Sequence, residues 1–127
     1  MQNIALVAMG GAIGATARYL LSGLALRTLG TGWPWGTFLA NGTGSLLMGV
    51  LAGWLAHKID GGSEFRLFLG VGVLGGFTTF SAYSLEVALM IERKAYATAA
   101  GYALGSVGLG VAGLFAGLMI ARKVFVG

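Results

Sequence analysis

Cysteine is absent from this 127-residue chain, histidine occurs once, and charged residues make up only 9% of it. Without cysteine, disulfides, thiolate metal sites and cysteine nucleophiles are excluded. The single histidine has no serine at a persuasive spacing, and the four acidic residues offer no carboxylate pair. We therefore expect no enzymatic activity. The eight basic residues are scattered without a Lys/Arg-rich run, which argues against nucleic acid as a partner.

Apolar residues, in contrast, make up 57% of the chain, and 24 residues are glycine. A small soluble domain leaves much of its area exposed and cannot hide this much apolar surface, so lipid is the expected surrounding. Four runs reach the length of about 20 residues that spans the hydrocarbon core. The sequence predicts a single all-α transmembrane domain over 1–127. Its four helices are expected at about 3–26, 35–56, 66–91 and 96–121, with a polar loop at 57–65.

Basic residues are balanced between the two membrane faces that this topology defines. One face carries Lys58, Arg66, Arg122 and Lys123, and the other carries Arg18, Arg27, Arg93 and Lys94. Four against four gives no orientation under the positive-inside rule. We therefore expect both orientations to insert and to pair as an antiparallel dual-topology homodimer.

Small residues recur at four-residue spacing in three of the predicted helices. The groups are Gly10 and Gly14; Ser45, Gly49 and Gly53; Gly101 and Gly105; and Gly113 and Gly117. Any one group is explained by packing within a subunit. Taken together they favour an oligomer, because small residues let helix backbones approach closely.

The third apolar segment is a poor straight helix. Four glycines at 70, 72, 75 and 76 precede Thr78 and Thr79, and both glycine and β-branched residues disfavour helix. We predict that this span is broken at mid-membrane, which frees backbone carbonyls. Such carbonyls are tolerated only inside protein, where they line a cavity or bind an ion such as Na⁺. A glycine kink packed against a neighbour fits the residues equally well.

Aromatic and hydroxyl side chains follow this segment at helical spacing, and polar lines run along two other helices. They comprise Phe77, Phe80 and Tyr83; Thr78 and Ser81; Thr37, Asn41 and Ser45; and Thr98, Tyr102 and Ser106. Ring edges are positive and hydroxyl donors replace lost water, so an anion pathway fits these residues. Hydrogen bonding between helices is the alternative. Asn41 favours a pathway most, because a carboxamide in the membrane needs a partner or a wet cavity.

Two ionisable side chains, Arg18 and Glu86, lie within the spans and toward the same predicted face. They could pair with each other, or Arg18 could supply positive potential at an anion entrance. Snorkelling to the interface explains them as well.

Three motifs together resemble the Fluc (CrcB-type) fluoride channels. They are Gly10-Gly11-x-x-Gly14-Ala15-x-x-Arg18-Tyr19, Gly36-Thr37-x-x-x-Asn41 and Gly75-Gly76-Phe77-Thr78-Thr79-Phe80-Ser81. The resemblance implies passive, fluoride-selective export across the bacterial inner membrane by an antiparallel homodimer with two pathways. It also implies a structural Na⁺ at the dimer centre, bound by the backbone carbonyls of Gly75 and Thr78.

The same resemblance assigns residues to the fluoride pathway and its vestibule. The pathway residues are Asn41, Phe80, Tyr83, Thr37, Ser81, Tyr102 and Ser106, and Arg18 lies at the vestibule. Tyr83 departs from the family pattern, which usually has phenylalanine there. The alternative function is a small dual-topology proton-coupled multidrug exporter, which needs a carboxylate deep in helix one. This helix has none. A non-transporting assembly subunit explains the glycines but not the polar lines.

Overall fold

The computed structural model describes residues 1–56 and 62–125, and these residues form a helical bundle. Helix α1 is Gln2–Leu29, α2 is Trp35–Leu55, α4 is Phe80–Glu92 and α5 is Tyr96–Phe125. Between α2 and α4 lies α3, which consists of Gly62–Phe65, a π-helical stretch Arg66–Leu74, and Gly75–Phe77. Four segments are long and apolar enough to cross a membrane, with α3 and α4 forming one of them. The prediction of four spans is confirmed, and the chain is a multi-pass membrane protein.

The helices extend a few residues past the ends expected from hydropathy. Helix α1 reaches Leu29 rather than residue 26, and α5 reaches Phe125 rather than residue 121. Hydropathy marks the hydrocarbon core of about 30 Å, whereas the 28 residues of α1 rise about 42 Å. Arg27 and Arg122 lie in the last turns, where the helix dipole favours cations.

The predicted polar loop at 57–65 is helical in its second part. Helix α3 begins at Gly62, four residues before the expected start of the third span. Glu64 lies in its first turn, where a negative charge stabilises the helix N-terminus. Residues 57–61, including His57 and Lys58, lie outside the described residues.

Two glycine-lined contacts hold the bundle together. Helix α2 packs along α5, and α1 packs along the π-helical part of α3. A Cβ placed on Gly10 would lie 2.9 Å from the Cα of Gly72, and one on Gly76 would lie 2.7 Å from the carbonyl oxygen of Gly11. These backbones therefore touch, as small residues permit in membrane helices.

The Gly101 and Gly105 pair takes no part in this packing. A Cβ on Gly101 would meet no atom within 4 Å, and one on Gly105 would only reach Phe38 at 4.0 Å. Among residues 1–56 and 62–125, no helix packs tightly against this small-residue surface of α5.

Replacing Gly117 by alanine is expected to destabilise the fold by about 1–3 kcal/mol or more, the range for overpacking a closed contact. The new Cβ would lie 2.7 Å from the backbone nitrogen of Val50 and would clash with the Leu46 carbonyl. Gly108→Ala on the same helix is the matched control, because a Cβ there meets no atom within 4 Å. Thermal unfolding in detergent should separate them, and equal stability of the two variants would contradict this packing.

Candidate functional site

The chain leaves the helical conformation for two residues between α3 and α4. Thr78 (φ −89°, ψ 159°) and Thr79 (φ −153°, ψ 123°) are both extended. The amide and the hydroxyl of Thr78 each donate to the Leu74 carbonyl at 3.0 Å, which closes α3. The hydroxyl of Thr79 accepts from the Ala82 amide at 3.1 Å and caps the N-terminus of α4. The threonines thus both end one helix and begin the next.

Asn41 of α2 binds this extended segment with both ends of its carboxamide. Its Nδ2 donates to the Thr79 carbonyl at 3.1 Å, and its Oδ1 accepts from the Thr79 amide at 2.8 Å. These bonds satisfy a backbone that would otherwise lie unpaired in an apolar protein, at a cost of about 1–3 kcal/mol per group. An amide nitrogen carries two donor hydrogens, so Asn41 keeps one for another acceptor.

Backbone carbonyls just before the break lose the amide donors that a continuous helix would give them. A continuous helix would bring the amides of Thr79 and Ala82 to the carbonyls of Gly75 and Thr78. Those amides donate instead to the Asn41 and Thr79 side chains. The carbonyl of Gly76 accepts from Arg18 Nε at 3.2 Å. The Gly75 and Thr78 oxygens are among the atoms here that a cation could bind.

Among residues 1–56 and 62–125, no three His, Cys, Asp or Glu side chains come together as a possible metal site. Backbone oxygens suit hard cations such as Na⁺ and Ca²⁺ rather than soft metals.

A cavity of about 330 Å³ lies beside the break, lined by residues of α2, α3, α4 and α5 and open on one side. We name it the central cavity. Its polar and aromatic lining consists of Asn41, Ser45, Thr78, Thr79, Phe80, Tyr83 and Ser106. The Ser106 hydroxyl is buried and has no hydrogen-bond partner among the described residues. A buried hydroxyl in this state can donate to an acceptor that enters the cavity.

The hydroxyl that distinguishes Tyr83 from phenylalanine forms a hydrogen bond to the neighbouring helix α5. It donates to the Ala103 carbonyl on α5 at 2.9 Å. The Tyr83 and Phe80 ring centroids are 5.6 Å apart with planes tilted by 40°. Because the hydroxyl bonds to α5, Tyr83 presents its ring to the central cavity much as a phenylalanine would.

Thr37 and Tyr102, which the sequence grouped with these residues, lie one helical turn away and bind Glu86. The Thr37 hydroxyl donates to one carboxylate oxygen at 3.0 Å, and the Tyr102 hydroxyl donates to the other at 2.7 Å. Neither residue lines the central cavity. A spacing of four residues moves a side chain about 6 Å along a helix, so Thr37 and Asn41 reach different depths.

Arg18, Glu86 and Ser81 are each placed apart from the central cavity. Arg18 donates to the Gly76 carbonyl while Glu86 accepts from two hydroxyls, so the interpretation that they pair with each other is wrong. The Ser81 hydroxyl is exposed on the subunit surface, 3.1 Å from the Thr79 hydroxyl.

A second cavity of about 350 Å³ lies at the ends of α1, α2 and α4, and we name it the outer cavity. Its lining includes Trp33, Thr37, Glu86 and Arg93. Thr37 and Glu86 stand one turn from Asn41 and Tyr83 on the same two helices, so the two cavities are stacked along α2 and α4.

The sequence analysis placed Ser45 in the polar line of α2 and Glu86 within the spans, but it assigned neither of them, nor Thr79, to the pathway. It also did not group Glu86 with Thr37 and Tyr102. Arg93 carried no comparable signal, because a charged turn at a membrane surface is ordinary.

Known proteins agree with the resemblance stated from the motifs. A family model described as "CrcB-like protein, Camphor Resistance (CrcB)" matches residues 5–118. A protein of Phenylobacterium zucineum named "Fluoride-specific ion channel FluC" is 68% identical over 126 residues, covering 98% of this chain and 99% of that protein. Relatives with the same name from Caulobacter vibrioides and Hyphomonas neptunium are 58% and 57% identical over the same shares. The chain therefore belongs to the CrcB-like protein family.

Proposed function

We propose that this chain is a fluoride-selective channel that lets cytoplasmic fluoride leave passively across the inner membrane. The observation that carries the proposal is the central cavity, where a carboxamide, an unpartnered hydroxyl and two aromatic rings meet. The curated relatives, which the chain matches along nearly its whole length, are named for the same ion. Weak-acid trapping explains the need, since HF crosses membranes neutral and ionises inside.

The chemistry of the cavity suits a small, strongly hydrated anion. Fluoride must exchange water for other donors, and the spare amide hydrogen of Asn41 and the Ser106 hydroxyl can supply them. The edges of the Phe80 and Tyr83 rings carry partial positive charge and can face the same anion. With no fixed cation among these groups, the anion is held weakly enough to leave.

The subunit is proposed to work as an antiparallel dual-topology homodimer. Phe80 is 78% exposed, and the hydroxyl pair of Thr79 and Ser81 is exposed beside it. Irregular backbone and polar groups at membrane depth are tolerated only where protein or a water-filled cavity covers them. A second copy placed over this surface would cover them and would also meet the unused small residues of α5.

A structural Na⁺ is proposed at the centre of this dimer. The carbonyl oxygens of Gly75 and Thr78, whose helical donors are diverted, would bind it from both copies. When bound, the ion supplies positive charge that satisfies these oxygens and offsets repulsion between anions nearby. The chain's own contribution is to hold the break open through Asn41 and the two threonines.

Fluoride release from proteoliposomes tests the proposed activity directly. Vesicles loaded with potassium fluoride and containing the purified protein should release fluoride to an external electrode when valinomycin sets the potential. Vesicles loaded with potassium chloride serve as the selectivity control and should release far less anion. Equal release from protein-containing and empty vesicles would overturn the proposed function.

The orientation of the chain in the membrane is tested separately. Because the native chain contains no cysteine, an introduced cysteine is the single thiol that a maleimide can label. A Lys94→Cys variant carries its single thiol in the exposed turn between α4 and α5. In intact spheroplasts an impermeant maleimide should label about half of the chains, and permeabilisation should expose the rest. Labelling of all chains or of none before permeabilisation would contradict dual topology while leaving the channel activity itself untouched.

A further inference from the structure

The outer cavity has the position and the donors of a pathway entrance. It opens at the C-terminal ends of α1 and α4 and the start of α2, where helices meet the aqueous surface. Its innermost polar groups, Thr37 and Glu86, stand one turn from the groups of the central cavity. Trp33 also lines it, and the indole nitrogen of Trp33 is buried without a partner among the described residues.

The charge of this cavity raises a difficulty for an anion. Glu86 lines it, and a carboxylate with low-dielectric walls around it repels an approaching anion. Both of its oxygens accept hydroxyl hydrogen bonds, which fix its position at the inner end of the cavity. An anion therefore needs a compensating cation in the same cavity.

The geometry points to Arg93 as that cation, so that the outer cavity is an anion vestibule in which Arg93 compensates Glu86. Arg93 is the C-terminal cap of α4. Among the described residues that line the cavity, Arg93 and Glu86 are the two that carry a charged side chain. Lys94, the next residue, has φ 63° and does not line the cavity. Arg18, the cation that the sequence placed at a vestibule, donates instead to the Gly76 carbonyl.

This inference rests on the proposed fluoride conduction. It assigns the compensation of the Glu86 charge at the pathway entrance to one side chain, that of Arg93. Removing the charge at Arg93 leaves the carboxylate of Glu86 uncompensated, which lowers the local anion concentration. The effect must be strong at low ionic strength and weak at high ionic strength, because the Debye length falls from about 30 Å at 10 mM to about 3 Å at 1 M.

Fluoride flux through Arg93→Gln is expected to fall about tenfold at low salt and to approach the native value near 1 M, the range of electrostatic focusing. Arg93→Lys should retain flux, and Lys94→Gln is the matched control because it removes an adjacent charge outside the cavity. Equal losses in Arg93→Gln and Lys94→Gln, or a loss independent of salt, would overturn the assignment.

Restoring a positive charge at position 93 by chemical modification of the folded protein tests whether a loss of flux comes from the lost charge or from misfolding. In an Arg93→Cys variant the introduced thiol is unique, since the chain has no cysteine. Modification with a trimethylammonium methanethiosulfonate should raise flux toward the native level, and modification with a sulfonate reagent of similar size should lower it further. Equal effects of the two reagents would mean that bulk, not charge, acts at this position. If the native protein itself conducts no fluoride, the proposed function fails; if it conducts but these variants do not separate, only the vestibule assignment fails.

Discussion

Asn41→Asp is expected to lower fluoride flux by about 100-fold or more. The native amide nitrogen donates to the Thr79 carbonyl at 3.1 Å, and an ionised carboxylate has no hydrogen to donate there. The variant would also place a fixed negative charge in the central cavity, through which the anion is proposed to pass. The variant also loses the second amide hydrogen, which is proposed to donate to fluoride, and a lost hydrogen bond to a charged group is worth about 1.5–3 kcal/mol. At about 1.4 kcal/mol per factor of ten, this alone lowers flux about 10- to 100-fold, and the repulsion lowers it further.

Flux measured in proteoliposomes should be read beside size-exclusion elution and thermal unfolding, because Asn41 also supports the break. Ser106→Ala separates the two roles. Its hydroxyl has no partner among the described residues, so its removal should leave stability unchanged or slightly higher. Flux through Ser106→Ala is nevertheless expected to fall about tenfold, the value of one lost hydrogen bond. A folded Asn41→Asp variant with native flux would remove the carboxamide from the pathway.

Phe80→Ile is expected to abolish most fluoride flux while leaving the subunit folded. Phe80 is 78% exposed within one subunit, so its replacement by another large apolar residue should change the stability of the subunit little. The variant keeps apolar area but removes the ring edge, and an aliphatic side chain has no positive edge to offer an anion. Losing an electrostatic contact in a dry site is expected to lower flux about 100-fold.

Tyr83→Phe is the matched control for this aromatic pair. It keeps the ring and removes only a hydroxyl that donates to the Ala103 carbonyl on α5. Flux should stay within about fivefold of native, because the net value of such a bond is about 1 kcal/mol or less. Native flux in Phe80→Ile would show that the ring takes no part in conduction.

The four spans and their helical class followed from the sequence because lipid permits few solutions. A backbone in hydrocarbon must satisfy its own hydrogen bonds, and apolar runs of about 20 residues with few charges meet that demand only as helices. The unfavourable run of glycines and threonines at 70–79 marked the segment where the backbone becomes extended. Glycine spacing likewise indicated close packing, although the sequence did not show that Gly101 and Gly105 would stand apart from it.

The partners of the polar side chains were decided by the tertiary structure. Asn41 was identified as important from the sequence, yet only the packing of α2 against the break directs its carboxamide to both backbone groups of Thr79. Thr37 and Tyr102 follow the same helical rows as Asn41 and Ser106, but their depth places them on Glu86 instead of the central cavity. Periodicity along one helix gives the face on which a residue lies. It does not give the depth at which a neighbouring helix presents its own polar group, because that depth depends on how the helices slide and cross. The sequence by itself therefore determined that this protein crosses the membrane four times and where its third span is weak. The tertiary structure alone decided which hydroxyls, amides and charges meet at that point.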